Sequence, residues 1–202
     1  MRELLVATTN KGKILEIEAL LKSYNIVVKS LLDFPNLPDV EETGVTFEEN
    51  ARLKAETIAK LTGTMVLGDD SGLEVKALNK APGVYSARYA YLKSGKEEDN
   101  HNEDSNNRVI LAELETKEDK SAAYVTVFCM AHPEKESLIA EGHLDGVIIN
   151  EARGTNGFAY DKHFEVNGKT VAEMSLEEKN EISQRSKALH NLMENLEEWL
   201  NK

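Results

Sequence analysis

The chain has 202 residues, 41% of them hydrophobic and 30% charged, and its 36 acidic against 24 basic side chains give a net charge of −12. That size and balance describe a folded chain with a sizeable core and exclude global disorder. The acidity argues against a nucleic-acid polymer or an anionic membrane as partner, because either needs a basic face. A single cysteine, Cys129, allows no internal disulfide. It fits a reducing compartment as a buried small hydrophobe. The apolar run after Met1-Arg2-Glu3 is too short for a signal peptide and no stretch is long enough to span a membrane, so the expected location is cytoplasmic.

Taken in order, residues 4–7 read as a short buried strand. The turn Thr8, Thr9, Asn10, Lys11, Gly12 and Lys13 follows, and then a helical pattern in Ile14, Leu15, Ile17, Leu20 and Leu21, with Asn10 as its N-cap. A strand, a polar turn with two lysines and a helix N-terminus is a layout that binds phosphate. It is not a Walker A loop, which needs a leading Gly and a Ser or Thr after the Lys. Taken alone, the turn also reads as a capped helix with solvated lysines.

Residues 26–28 form a second strand, and 31–45 an acidic loop ending in Glu41-Glu42-Thr43-Gly44. Thr46-Phe47-Glu48-Glu49 is a capping box, so a helix runs from there to about Leu61, with Asn50 and Lys54 on one face and Gly63 as its stop. Residues 64–68 make the strand that leads into Gly68-Asp69-Asp70-Ser71-Gly72. Two adjacent acids at a buried strand end must be hydrated, paired or bound to a metal. Hard oxygens on a short turn suit Mg²⁺, and an Asx-turn with one structural Asp is the other reading. Strand and helix alternate over the first 70 residues, so the fold class is α/β, with ligands expected outside the carboxyl ends of the strands.

Farther on, Ala81-Pro82-Gly83-Val84-Tyr85 marks a turn. Residues 93–108 read as a mobile solvated loop, and 107–115 as a short helix. Residues 122–131 and 138–144 look like antiparallel strands joined at His132-Pro133. His101, His132 and His143 lack the paired spacing of metal ligands. Gly154 to Asp161 is a glycine-framed loop whose Phe158 and Tyr160 can stack on a planar base. A second capping box, Ser175-Leu176-Glu177-Glu178, starts a last helix that runs to about Leu200.

These stretches in this order resemble the inosine triphosphate pyrophosphatase family, also called XTP/dITP diphosphatases. The resemblance is carried by Thr8 to Lys13, Glu41 to Ala51, Asp69 to Val75, Ala77 to Asn79, Ala81 to Tyr89, Gly154 to Asp161 and Gly168 to Ala188, nearly the whole chain. It implies an elongated mixed-sheet α/β fold of two lobes with a central cleft. Residues 1–202 would form one domain, usually a homodimer. The implied activity is Mg²⁺-dependent hydrolysis of deaminated purine nucleoside triphosphates (ITP, dITP, XTP) to monophosphate and pyrophosphate.

Carried over by motif, Thr8, Thr9, Asn10, Lys11, Gly12 and Lys13 would hold the triphosphate. Asp70 would be the proton acceptor and a metal ligand, with Asp69 as support and Ser71 touching substrate. Glu41 or Glu42 would complete the metal site. Phe158, Ala159, Tyr160 and Asp161 would line the nucleoside pocket, and Lys179, Gln184 and Arg185 would reach the base and the phosphates. Two departures fall in the base-recognition half. Ser183-Gln184-Arg185 stands where the family has Ser-His-Arg, and Gly157-Phe158-Ala159-Tyr160-Asp161-Lys162 where it has Gly-Phe-Gly-Tyr-Asp-Pro. They leave open the same chemistry on a pyrimidine or modified base, and a catalytically silent nucleotide-binding module.

Overall fold

The computed structural model describes residues 2–201. Among them are seven strands in one mixed sheet, β1 (Arg2–Val6), β2 (Ile26–Ser30), β3 (Val66–Val75), β4 (Ser121–His132), β5 (Lys135–Ile148), β6 (Phe164–Val166) and β7 (Lys169–Thr170), in the order β2-β1-β3-β4-β5-β6-β7. β1 runs parallel to β2 and β3, whereas β6 is antiparallel to β5 and β7. The α-helices are α1 (Lys11–Leu21), α2 (Phe47–Thr62), α3 (Tyr89–Ser94), α4 (Glu103–Leu114), α5 (Leu176–Ile182) and α6 (Gln184–Asn201). The expected α/β class holds. No helix among the described residues is long and apolar enough to cross a membrane.

The chain divides into two compact units. Unit 1 comprises Met1–Ser71, Thr126–His143 and Ser183–Lys202. Its core joins Leu4, Val6 and Leu67 of the sheet to Ile17 and Leu21 of α1 and to Leu189, Leu192 and Trp199 of α6. α2 begins at the expected capping box, with Thr46 Oγ1 accepting from Glu49 N and Glu49 accepting from Thr46 N, and stops at Gly63 with φ 67°. Small residues on its inner face let it come close to β3. A Cβ added at Gly68 would lie 2.3 Å from the Ala51 carbonyl oxygen. Unit 2 comprises Gly72–Val125 and Leu144–Ile182 and packs Leu73, Ile110, Leu114, Tyr124, Tyr160 and Phe164 together.

Three local expectations need correction. The strand before the acidic pair does not end at Gly68: β3 runs on to Val75, so Asp69 and Asp70 are mid-strand rather than on a short turn, and Gly68 admits the α2 backbone. The polar run at 93–108 is largely helical. Asn102 caps α4 by accepting from Ser105 N at 3.0 Å, so the helix begins four residues before the expected start at Asn107. Asn106 is buried, accepting from Ala90 N at 2.8 Å and donating to Ala87 O at 2.9 Å. A polar sequence here serves buried backbone groups, which composition cannot reveal. The last helix is also two. Its capping box forms as expected, but α5 ends at Ile182 and Ser183 Oγ accepts from Ser186 N at 3.1 Å to start α6. Serine competes for backbone hydrogen bonds in this way and favours helix starts.

Candidate active site

Alternation along β3 decides the site in unit 1, because successive side chains on a strand face opposite ways. Asp69 and Ser71 share one face with α1 and α6. Asp69 is fully buried; its Oδ2 accepts from Arg185 Nε at 2.9 Å and its Oδ1 pairs with Lys13 Nζ. Ser71 Oγ also donates to Asp69 Oδ1 at 2.8 Å, and accepts from Thr126 Oγ1 at 3.0 Å and Arg185 Nη2 at 3.0 Å. Arg185, 1% exposed, turns Nη1 to Glu16 of α1. Burial alone would push the Asp69 carboxyl up, but Arg185 and Lys13 more than reverse this and hold it far below the usual carboxylate range. Burial likewise opposes the Arg185 charge, and Asp69 and Glu16 outweigh it, raising its pKa.

Asp70 faces α2. Its Oδ2 accepts from Asn50 Nδ2 at 3.1 Å, and its Oδ1 lies 3.3 Å from Lys54 Nζ. The same ammonium donates to Glu42 Oε1 at 2.7 Å. Burial pushes the Asp70 carboxyl above its usual range, with Glu42 adding to the rise, while Lys54, Lys13 and Asn50 offset only part of it. Burial opposes the Lys54 charge as well, but Asp70 and Glu42 outweigh it and raise its pKa. A carboxylate with a raised pKa is a stronger base than an exposed one. Glu42 is half-buried at this cluster, whereas Glu41 is exposed.

The turn at 8–13 is built as its sequence suggested. Asn10 caps α1 by accepting from Lys13 N at 3.1 Å, and Thr8 Oγ1 accepts from Asn10 N at 3.1 Å. Thr9, Asn10 and Lys11 are exposed at the N-terminus of α1, and Gly12 is partly so. Gln184, at the start of α6, is 5% exposed, and its Oε1 is buried without a hydrogen-bond partner.

In unit 2, Asp161 organises the glycine-framed loop. Its Oδ1 accepts from Tyr124 Oη at 2.9 Å, and its Oδ2 from Lys179 Nζ at 2.8 Å and Phe158 N at 3.0 Å. The Lys179 ammonium lies 5.0 Å from the centroid of the Phe158 ring. Tyr160 is buried and donates to Ser86 O at 2.6 Å. Ala159 adopts φ 55°, the left-handed region in which glycine is at ease, and its carbonyl accepts from Asn107 Nδ2 at 2.9 Å. The loop therefore holds a glycine-type conformation although its sequence has an alanine there.

A family model described as the Ham1 family matches residues 4–195. This chain belongs to the Ham1 family. A Bacillus licheniformis protein named dITP/XTP pyrophosphatase is 49% identical over 196 residues, covering 95% of this chain and 96% of its own. A Streptococcus thermophilus protein of the same name is 48% identical over 204 residues, 98% of this chain, which spans 61% of that longer relative. Among solved structures, a HAM1 protein from Coxiella burnetii superposes with a TM-score of 0.84 at 40% identity, covering 98% of this chain and all of that one. The family resemblance read from the motifs is borne out over nearly the whole chain.

Several members of this Ham1 constellation were not assigned from sequence. Glu16 and Thr126 carried no signal beyond their residue type. Asn50 and Lys54 did carry one: they lie on the face of α2 that also holds Ala51, Ala55 and Ile58, and a lysine on a buried stripe requires a carboxylate partner.

Proposed function

We propose that this chain hydrolyses ITP, dITP and XTP to the nucleoside monophosphate and pyrophosphate in a Mg²⁺-dependent reaction. The observation that carries the reading is the placement of Asp70: a buried carboxylate with a raised pKa, sharing the Lys54 ammonium with Glu42. The relatives are named for dITP and XTP, which supports those two substrates.

Asp70 and Glu42 fit a magnesium site by their chemistry. Both offer hard carboxylate oxygens, and both already reach one cation, the Lys54 ammonium. Among the described residues no three His, Cys, Asp or Glu gather as a metal set. Mg²⁺ takes one or two carboxylates and fills its shell with water and phosphate oxygens. We assign Glu42 to this role in preference to the exposed Glu41. When bound, the ion supplies charge neutralisation at the phosphates.

In this reading Asp70 orients the attacking water and accepts its proton. Thr8, Thr9, Asn10, Lys11 and Gly12 offer backbone and side-chain donors at the α1 N-terminus, where anions are favoured. Lys13, held by Asp69, balances the charge that builds on the leaving pyrophosphate, and Ser71 touches the substrate. Arg185 acts through Asp69 and Ser71, because its guanidinium is committed to them and to Glu16. Phe158, Ala159, Tyr160 and Asp161, with Lys179, hold the nucleoside. In this reading the Gln184 amide serves base recognition through its NH2, which can donate to a 6-oxo group and is left unmatched by the amino group of adenine. Residues 1–202 act as one catalytic domain, working as a cytoplasmic homodimer.

Ala159 adopts the left-handed backbone open to glycine, so the loss of glycine there does not by itself argue for a shifted base. Pyrophosphate release from ITP, XTP, dITP, ATP, GTP and dTTP, measured side by side with Mg²⁺, tests the assignment. ITP, dITP and XTP should be turned over fastest. A best substrate with a pyrimidine base would refute the base assignment, and no turnover of any of them would refute the activity.

A further inference from the structure

Lys54 enters the site with two carboxylates already on its ammonium. Nζ lies 2.7 Å from Glu42 Oε1 and 3.3 Å from Asp70 Oδ1, and the lysine side chain is 10% exposed. Asp70 has its second oxygen on Asn50. The two acids assigned to the metal are thus bridged by a cation that belongs to the chain itself.

We propose that Lys54 is a resident counter-ion: its ammonium holds the metal's place in the nucleotide-free protein and leaves Asp70 and Glu42 when the divalent ion arrives. This rests on the reading of Asp70 and Glu42 as the metal's ligands. Two carboxylates carry two negative charges, which an ammonium and a divalent ion together overfill. Like charges a few ångströms apart in a poorly solvated site repel strongly. The four-carbon lysine stem is flexible enough to swing aside. Among the buried residues of α2 only Asn50 is polar besides Lys54; Phe47, Ala51, Ala55, Ile58 and Ala59 are apolar, so the helix's own inner face has little to offer a withdrawn ammonium in exchange. A nucleoside triphosphate supplies that exchange, since its phosphate oxygens can accept the ammonium. Metal and nucleotide therefore assist each other's binding, and the bare ion is resisted. The opposite reading makes Lys54 a strut that fixes the Glu42 loop to β3. Its removal would then loosen the carboxylates and weaken metal binding.

Mn²⁺ alone, followed by its paramagnetic resonance in titrations of the full chain without nucleotide, separates the two. Lys54→Met should bind Mn²⁺ about tenfold or more tightly than the parent, and Lys54→Arg, which keeps the charge, should stay near the parent. Equal or weaker binding by Lys54→Met overturns the proposal. Adding Asp70→Asn to Lys54→Met should abolish the gain. A gain that survives it would instead show that the metal assignment is wrong, whatever the protein hydrolyses. Should Lys54→Met not fold, the parent gives the same answer through the ¹⁵N resonance of the Lys54 ammonium. That signal should shift when Mg²⁺ and a non-hydrolysable ITP analogue bind together. Saturation with both and no change in the signal overturns the proposal.

Discussion

Asp69 and Asp70 are adjacent in sequence and belong to opposite layers of the fold. Asp69 meets Lys13 and Arg185 on the α1 and α6 side of β3, while Asp70 meets Asn50 and Lys54 on the α2 side. One carboxyl is held below its usual pKa range and the other above it. The same pair of residues thus yields an anion that anchors cations and, in the proposed reaction, a proton acceptor.

Arg185 carries the Asp69 side of that division. Arg185→Met leaves Asp69 and Glu16 as buried, under-compensated carboxylates, and should destabilise the protein by about 3–5 kcal/mol. Chemical denaturation would measure it. Arg185→Lys should recover only part of the loss, because one ammonium cannot reproduce guanidinium bonds to Asp69, Glu16 and Ser71. Full recovery with Lys would show that charge alone matters there.

The depressed pKa of Asp69 fixes the sign of an acid-stability effect. An unfolded Asp titrates near about 3.9, so the Asp69 contribution is complete above that pH and is lost progressively below it, toward its lower folded value. Urea midpoints of the metal-free protein should fall with pH below about 4 more steeply for the parent than for Asp69→Asn. Parallel curves would contradict the assignment.

Gly68 is set by packing. A methyl group there would meet the Ala51 carbonyl oxygen at 2.3 Å and Ala55 Cβ at 2.9 Å, so α2 would have to move off β3. Gly68→Ala should cost roughly 1–3 kcal/mol, and because α2 carries Asn50 and Lys54 it should also lower turnover. A neutral substitution would mean that α2 moves away at no cost.

Ala159 offers the reverse case. An L-residue in the left-handed region is strained by about 1–2 kcal/mol, part of which glycine returns through its floppier unfolded state. Ala159→Gly should therefore stabilise the protein by roughly 0.5–1 kcal/mol, read as a rise in denaturation midpoint. A loss of stability would show that the alanine methyl packs usefully in the loop.

What could be read from the sequence follows from how local each cause is. The α/β alternation, the Asn10 cap and the two capping boxes depend on neighbours a few residues apart, and all of them formed as expected. The candidate residues, and the separate roles of Asp69 and Asp70, were legible as motifs and through the family resemblance, but the partners of those residues were not. The 116-residue separation of Asp69 from Arg185 and the 12-residue step from Glu42 to Lys54 are tertiary pairings. The break at Ser183 was hidden because helix-forming residues flank it on both sides, and only its hydroxyl bond to Ser186 N shows a new start. The run at 93–108 misled for a related reason: buried Asn106 and exposed Asn102 are the same residue type in sequence.

Hydrolysis at the α-phosphorus is the claim on which the roles of Asp70, Glu42 and Lys13 depend, and ³¹P NMR of ITP turnover with Mg²⁺ reads it directly. The expected products are inosine monophosphate and pyrophosphate in equal amounts, formed by the parent and lost in an Asp70→Asn protein that still folds. Orthophosphate and inosine diphosphate as the first products, or undiminished pyrophosphate from Asp70→Asn, would contradict it.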